Sequence, residues 1–234
     1  MAAKKQAPDP EAMILDLLAT KAGMKQDVYG KAKESFALLK EQLKQLAGEL
    51  ASAMAGRDPR LKIEFSEQGE FSAKVVAAGD TVVFSMHTNV FRLDQSHSLW
   101  KTSYLQEDEN RGYFGVINIY NFLTDSFRYD RERDLGYLVA RWFVNREGHY
   151  FLQGKKQLGF LYNNLAESVL DATAMRKVLI SVLLYVLDFD LLAPPYDQVS
   201  QVTVEEMKQI EAYSMVSTGK RLGFRFQADT EDIT

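Results

Sequence analysis

Between Leu61 and Gly154 the chain alternates apolar and polar residues in runs broken by turn-forming residues, with helical periodicities on either side. A period of two puts alternate side chains on opposite faces of a strand, and short connections between such runs demand antiparallel pairing. Leu61–Phe65 alternates, Gly69 supplies a turn, and Phe71–Val76 repeats the pattern. Ala78-Gly79-Asp80 reads as a hairpin turn into Thr81–His87. Further strands are predicted over Leu99–Leu105, Tyr113–Leu123 and Tyr137–Asn145, the last turning at Asn145-Arg146-Glu147-Gly148 into His149–Gln153. Tyr113–Leu123 is apolar at both parities, with Ile117 and Ile119 on one side and Phe114, Val116 and Phe122 on the other, as a central strand covered on both faces requires.

The flanks carry the helical period. Asp9 is placed to cap a short helix in which Met13, Ile14, Leu17 and Leu18 share a face, and Gly23 marks a break. From Gln26 to Ala55 a long amphipathic helix is predicted. Its apolar positions Tyr29, Ala32, Phe36, Leu39, Leu43, Leu46, Leu50 and Ala53 form a narrow stripe between charged residues, the spacing of a coiled-coil seam. Gly56 and Asp58-Pro59 stop it. Such a stripe either covers the sheet that follows or meets a second chain. The expectation taken forward is a homodimer through Phe36, Leu39, Leu43, Leu46 and Leu50.

After Gly159 the helical period returns. Its apolar face is widest around Lys177–Leu187, which predicts a buried helix ended by Pro194 and Pro195. Thr203 and Glu206 have capping-box spacing ahead of Met207, Ile210 and Tyr213, and Leu222–Phe226 is a short strand candidate. No repeat or low-complexity linker divides the chain. The expected fold is α+β: one domain over 1–234, with 1–10 and 227–234 mobile. Its core is a curved, mostly antiparallel sheet of about six or seven strands, flanked by the long N-terminal helix and the C-terminal helices.

Composition removes several kinds of chemistry. Cysteine is absent, which excludes disulfides, thiolate nucleophiles and Cys-ligated metals. With 28 basic and 32 acidic residues the net charge is −4, which argues against generic binding to a phosphate backbone. The most apolar run, Val178–Leu192, is interrupted by Asp188 and Asp190 and falls short of the about 20 apolar residues a membrane span needs. The first residues lack the apolar core of a signal peptide, so the cytoplasm is the expected compartment.

Motifs that would force a reaction are missing. Asp130, Glu132 and Asp134 alternate like a calcium loop, but the glycine comes one place late, at Gly136. Arg141 also stands where the closing carboxylate belongs, so this is a solvated loop. His87, His97 and His149 make no metal-ligand spacing, and each reads as a strand-end or turn residue. Neither a nucleophile elbow nor a Gly-rich phosphate loop is present, so no cofactor or metal is implied. Polar residues within otherwise apolar strands remain. Asn118, Asn121 and Arg141, with His149 nearby, are the candidate ligand contacts; a structural pairing of Arg141 with Asp125 is the plainer reading. The function expected is a cytoplasmic non-enzymatic interaction protein (adaptor, chaperone-like or regulatory) acting as a homodimer. The alternative is a small-ligand-binding domain or unusual enzyme built around Asn118, Arg141 and His149.

Overall fold

The computed structural model describes residues 9–190, 193 and 195–208. Six strands lie in the sheet in chain order, each antiparallel to the one before: β1 (Ile63–Glu67), β2 (Ser72–Ala77), β3 (Asp80–Arg92), β4 (Tyr113–Leu123), β5 (Tyr137–Val144) and β6 (Tyr150–Gly154). The sheet is open, with β1 and β6 at its edges. Before it run α1 (Pro10–Leu17), a π-helical turn (Leu18–Ala22) and α2 (Gly23–Ala55). The crossover from β3 to β4 holds α3 (Ser103–Glu107) between two short 3-10 turns, and α4 (Thr124–Arg128) joins β4 to β5. α5 (Gln157–Leu161), α6 (Ala172–Leu187) and α7 (Tyr196–Val199) follow the sheet. The α+β architecture read from the alternation is thus present, with six strands among the described residues. The candidate strand Leu222–Phe226 lies outside them, as do Ile210 and Tyr213.

The turn signals work as their chemistry requires. Gly69 (φ 77°) and Gly148 (φ 78°) occupy the left-handed region that a side chain disfavours, and Gly148 N–H closes a turn onto the Asn145 carbonyl at 3.1 Å. Asp9 caps α1 by accepting from Glu11 N–H at 3.2 Å. Thr203 and Glu206 form the reciprocal capping box.

α2 and α6 cover one face of the sheet. Their apolar sides meet the inward parities of the strands: Val75 from β2, Val82 and Phe84 from β3, Ile117 and Ile119 from β4, and Trp142 from β5. Here the seam expectation is corrected. Phe36, Leu39, Leu43 and Leu46 are 1, 0, 0 and 4% exposed within a single chain, and the half-buried Leu50 packs on the same core. A stripe already spent on its own sheet has no apolar surface left for a partner. Each large side chain so buried contributes about 1.5–3 kcal/mol. Ala32 lies close over Gly115 of β4, leaving no room there for a side chain on the strand.

Two other expectations change. Gly23 does not break the helix: the backbone stays helical through Leu17, Leu18, Ala22 and Gly23, so α1 and α2 form one continuous rod. Leu99–Leu105 is not a strand. It holds a 3-10 turn, capped where His97 Nδ1 accepts from Leu99 N–H, and α3, with Thr102 extended between them; Leu99, Trp100 and Tyr104 turn toward one aromatic cluster from these two pieces. That crossover packs on the second face of the sheet, where Leu105 joins Phe114, Val116, Phe143 and Phe151.

Candidate functional site: the uncovered centre of the sheet

The second face is covered only in part. The crossover buries one end, over Phe114, Val116 and Phe143. At the other, α4 closes over β3 and β4: Thr124 Oγ1 lies 3.1 Å from Thr81 Oγ1, and Phe127 meets Phe122 edge-on at 5.3 Å. Between them two cross-strand rows remain. Register pairs Ser72, Ser85, Asn118, Arg141 and Gln153 in one row, and Lys74, Val83, Tyr120 and Leu138 in the next. Their chain neighbours Ala73, Val75, Phe84, Ile117, Ile119 and Trp142 all point into the helix-covered core, so strand alternation fixes these rows on the opposite face.

An extra residue in β5 shapes this surface. The register slips between Ile119 and Tyr120, where Val139 and Ala140 both turn into the core and Leu138 is left opposite Tyr120, 40% exposed. Arg141 is exposed; its Nη2 donates to Gln153 Oε1 at 2.6 Å and its guanidinium sits 5.7 Å from the Phe143 ring. The expected pairing of Arg141 with Asp125 is not made: Asp125, in α4, lies 3.8 Å from Arg128. Lys74 sits over the Phe127 ring at 5.0 Å. The result is a shallow trough with an apolar floor of Val83, Tyr120 and Leu138 and a cation at each margin. Where Arg141 and Gln153 meet the end of α6, a cavity of about 470 Å³ opens, walled by Tyr137, Tyr185 and Phe189.

The four polar residues singled out in the sequence do not converge. Asn118 and Arg141 face each other across β4 and β5 on the open side. Asn121 points to the other face, 2% exposed, with Nδ2 donating to Asp80 Oδ1 at 2.9 Å and to the Tyr137 hydroxyl at 3.1 Å. Burial pushes the Tyr137 hydroxyl up to about 12, against the Asn121 hydrogen bond, which pulls it down. His149 lies on the β5–β6 turn, its Nδ1 2.9 Å from the Leu165 carbonyl and its ring stacked on Tyr104 at 4.6 Å.

His149 belongs to a polar knot that sequence reading missed. Asn145, fully buried, donates to the Tyr104 hydroxyl and the Arg111 carbonyl and accepts from Glu147 N–H and His149 N–H. Tyr104 and Arg111 both donate to Glu147, at 2.9 and 3.1 Å, and the Arg111 guanidinium lies 4.4 Å from the Tyr104 ring. Burial pushes the Glu147 carboxyl up, but hydrogen bonds from Tyr104 and Arg111 outweigh it and hold the group below its ordinary value. Burial is also the main cause that raises the Tyr104 hydroxyl to about 12. Every one of these groups is engaged by another, so the knot fastens the crossover to the sheet.

Among the described residues no group of His, Asp and Glu is arranged to hold a metal ion, and no helix is long and apolar enough to cross a membrane. His87 and His97 accept from backbone N–H groups two residues on, as turn residues do. Comparison of the chain with protein-family models, with curated proteins and with solved structures returns no match.

Proposed function

We propose that this chain is a non-enzymatic interaction protein that holds an elongated segment of another protein in the trough of its sheet. The carrying observation is the unequal covering of the two faces: α2 and α6 bury the inward residues of β2 to β6 on one, while at the centre of the other Val83, Ser85, Asn118 and Tyr120 are only half-buried and Leu138, Arg141 and Gln153 are exposed. A sheet face meant only for water would be polar along every row. Here Val83, Tyr120 and Leu138 are contiguous apolar groups beside Lys74 and Arg141, and tyrosine and arginine are the residues that dominate binding energy at protein interfaces. The walls formed by α4 and the crossover favour a narrow occupant lying along the trough. The cations favour carboxylates on it, and the floor favours apolar side chains between them.

The separation of Asn118 and Arg141 from Asn121 and His149 weighs against the enzyme alternative, since catalysis needs acid, base and substrate groups within hydrogen-bond reach of one another. A peptide-display selection against the folded chain tests the reading. The expected outcome is enrichment of acidic–apolar sequences whose binding shifts the NMR signals of Val83, Asn118, Tyr120 and Arg141. Enriched peptides that shift signals elsewhere, or no enrichment, would overturn it.

A further inference from the structure

We propose that two copies of this chain associate by exchanging α1, each laying it along the outer face of its partner's α6. This goes beyond the trough and does not rest on it. No residue of α1 or of the π-helical turn after it is buried, although Ile14, Leu17 and Leu18 are 56, 53 and 59% exposed. So much apolar surface on one projecting helix is a docking face rather than a solvated one.

The same chain carries a matching surface. α6 buries one side against the core but leaves Ile180, Leu184 and Leu187 exposed on the other, Leu184 at 63%. Within the two helices the charges are opposite: α1 holds Glu11 and Asp16 and no cation, whereas α6 holds Arg176 and Lys177 near its start, with its acids, Asp171 and Asp188, only at the caps. Arg176 is engaged by Glu49, while Lys177 is exposed beside the Ile180 end of a shallow groove between α2 and α6. Spacing agrees as well: Glu11, Ile14 and Leu18 follow one another at the same intervals as Lys177, Ile180 and Leu184. In a parallel alignment the acid meets the base and each apolar group an apolar group.

The contact cannot be made within one chain. The rod from α1 into α2 is continuously helical, and Ile14 lies roughly 40 Å along it from Gln42, the α2 residue beside the Ile180 groove, at about 1.5 Å per residue. Parallel pairing of α1 with another α1 would set Glu11 against Glu11 and Asp16 against Asp16, and an anionic bilayer repels the same carboxylates. Docking on a second copy uses both surfaces, and twofold symmetry makes the contact twice.

Because the chain lacks cysteine, an introduced pair reports the contact directly. Ile14→Cys and Ile180→Cys proteins are mixed and oxidised, alongside light-scattering mass measurements of the native full chain. The expected results are a disulfide that joins position 14 of one copy to position 180 of the other, and a mass twice 26.6 kDa. Glu11→Lys and Lys177→Glu should each weaken the dimer about tenfold, and the two together should restore it. Both positions are exposed, so neither change threatens the fold. A native chain that stays monomeric at its highest soluble concentration would overturn the proposal. So would a dimer indifferent to the charge reversals, or a monomer that sediments with phosphatidylserine vesicles through α1.

Discussion

Ala32 of α2 stands directly over Gly115 of β4, so close that a Cβ added to Gly115 would lie 2.3 Å from the Ala32 Cβ. This contact sets the distance between the long helix and the middle of the sheet. Gly115→Ala therefore has to push the helix away, an overpacking that costs about 1–3 kcal/mol. Urea denaturation should show that loss, and Ala32→Gly in the same chain should recover part of it. Equal stability of the Gly115→Ala and native proteins would mean that the helix is not held at this distance.

The burial of the stripe on α2 makes a second prediction. Leu43→Ala leaves a cavity in the core and should cost about 2–5 kcal/mol. Leu43→Asp places an unpaired carboxylate there, and circular dichroism should report an unfolded chain. A folded Leu43→Asp monomer would return the stripe to the role of an intermolecular seam.

The polar knot should respond to acid. A carboxyl held below its unfolded value stabilises the fold above that value and loses the contribution as pH falls through its lower folded value. For Glu147, whose ordinary value is near 4.5, stability should be lost progressively below that pH. Unfolding curves of the native protein and Glu147→Gln should differ at neutral pH and converge in acid. A gap that is constant with pH would assign the effect to packing.

How much of this is legible in the sequence depends on the range of the interaction. The bounds of β4 are legible because its run of apolar and aromatic residues at both parities has the length of a strand, and the turns at Gly69 and Gly148 follow from a local backbone need. The direction in which the α2 stripe faces is not, since a narrow apolar stripe has the same pattern whether it meets a sheet or another helix. Leu99–Leu105 misleads because aromatic and apolar residues in a short run satisfy either period. Of the candidate site, Asn118 and Arg141 stand out as polar interruptions of apolar strands. Their neighbours Val83, Tyr120 and Leu138 do not, because only cross-strand register and the β5 bulge bring them together. The knot of Tyr104, Arg111 and Glu147 joins residues up to 43 positions apart and leaves no local signature.

The trough separates binding from stability. Arg141 is exposed, so Arg141→Ala should leave the unfolding free energy within about 0.5 kcal/mol of native while weakening peptide binding about tenfold or more. Isothermal titration with a display-selected peptide measures one quantity and urea denaturation the other. A variant that loses both together would place Arg141 in the scaffold instead.

Photo-crosslinking in the native cells tests most directly whether the partly covered face holds a protein partner. A photoreactive phenylalanine analogue in place of Tyr120 should give one discrete heavier adduct, which Arg141→Ala removes. The same group at the exposed Lys44, on the solvent side of α2, should give none. An adduct from position 44 alone, or none from position 120, would contradict the account.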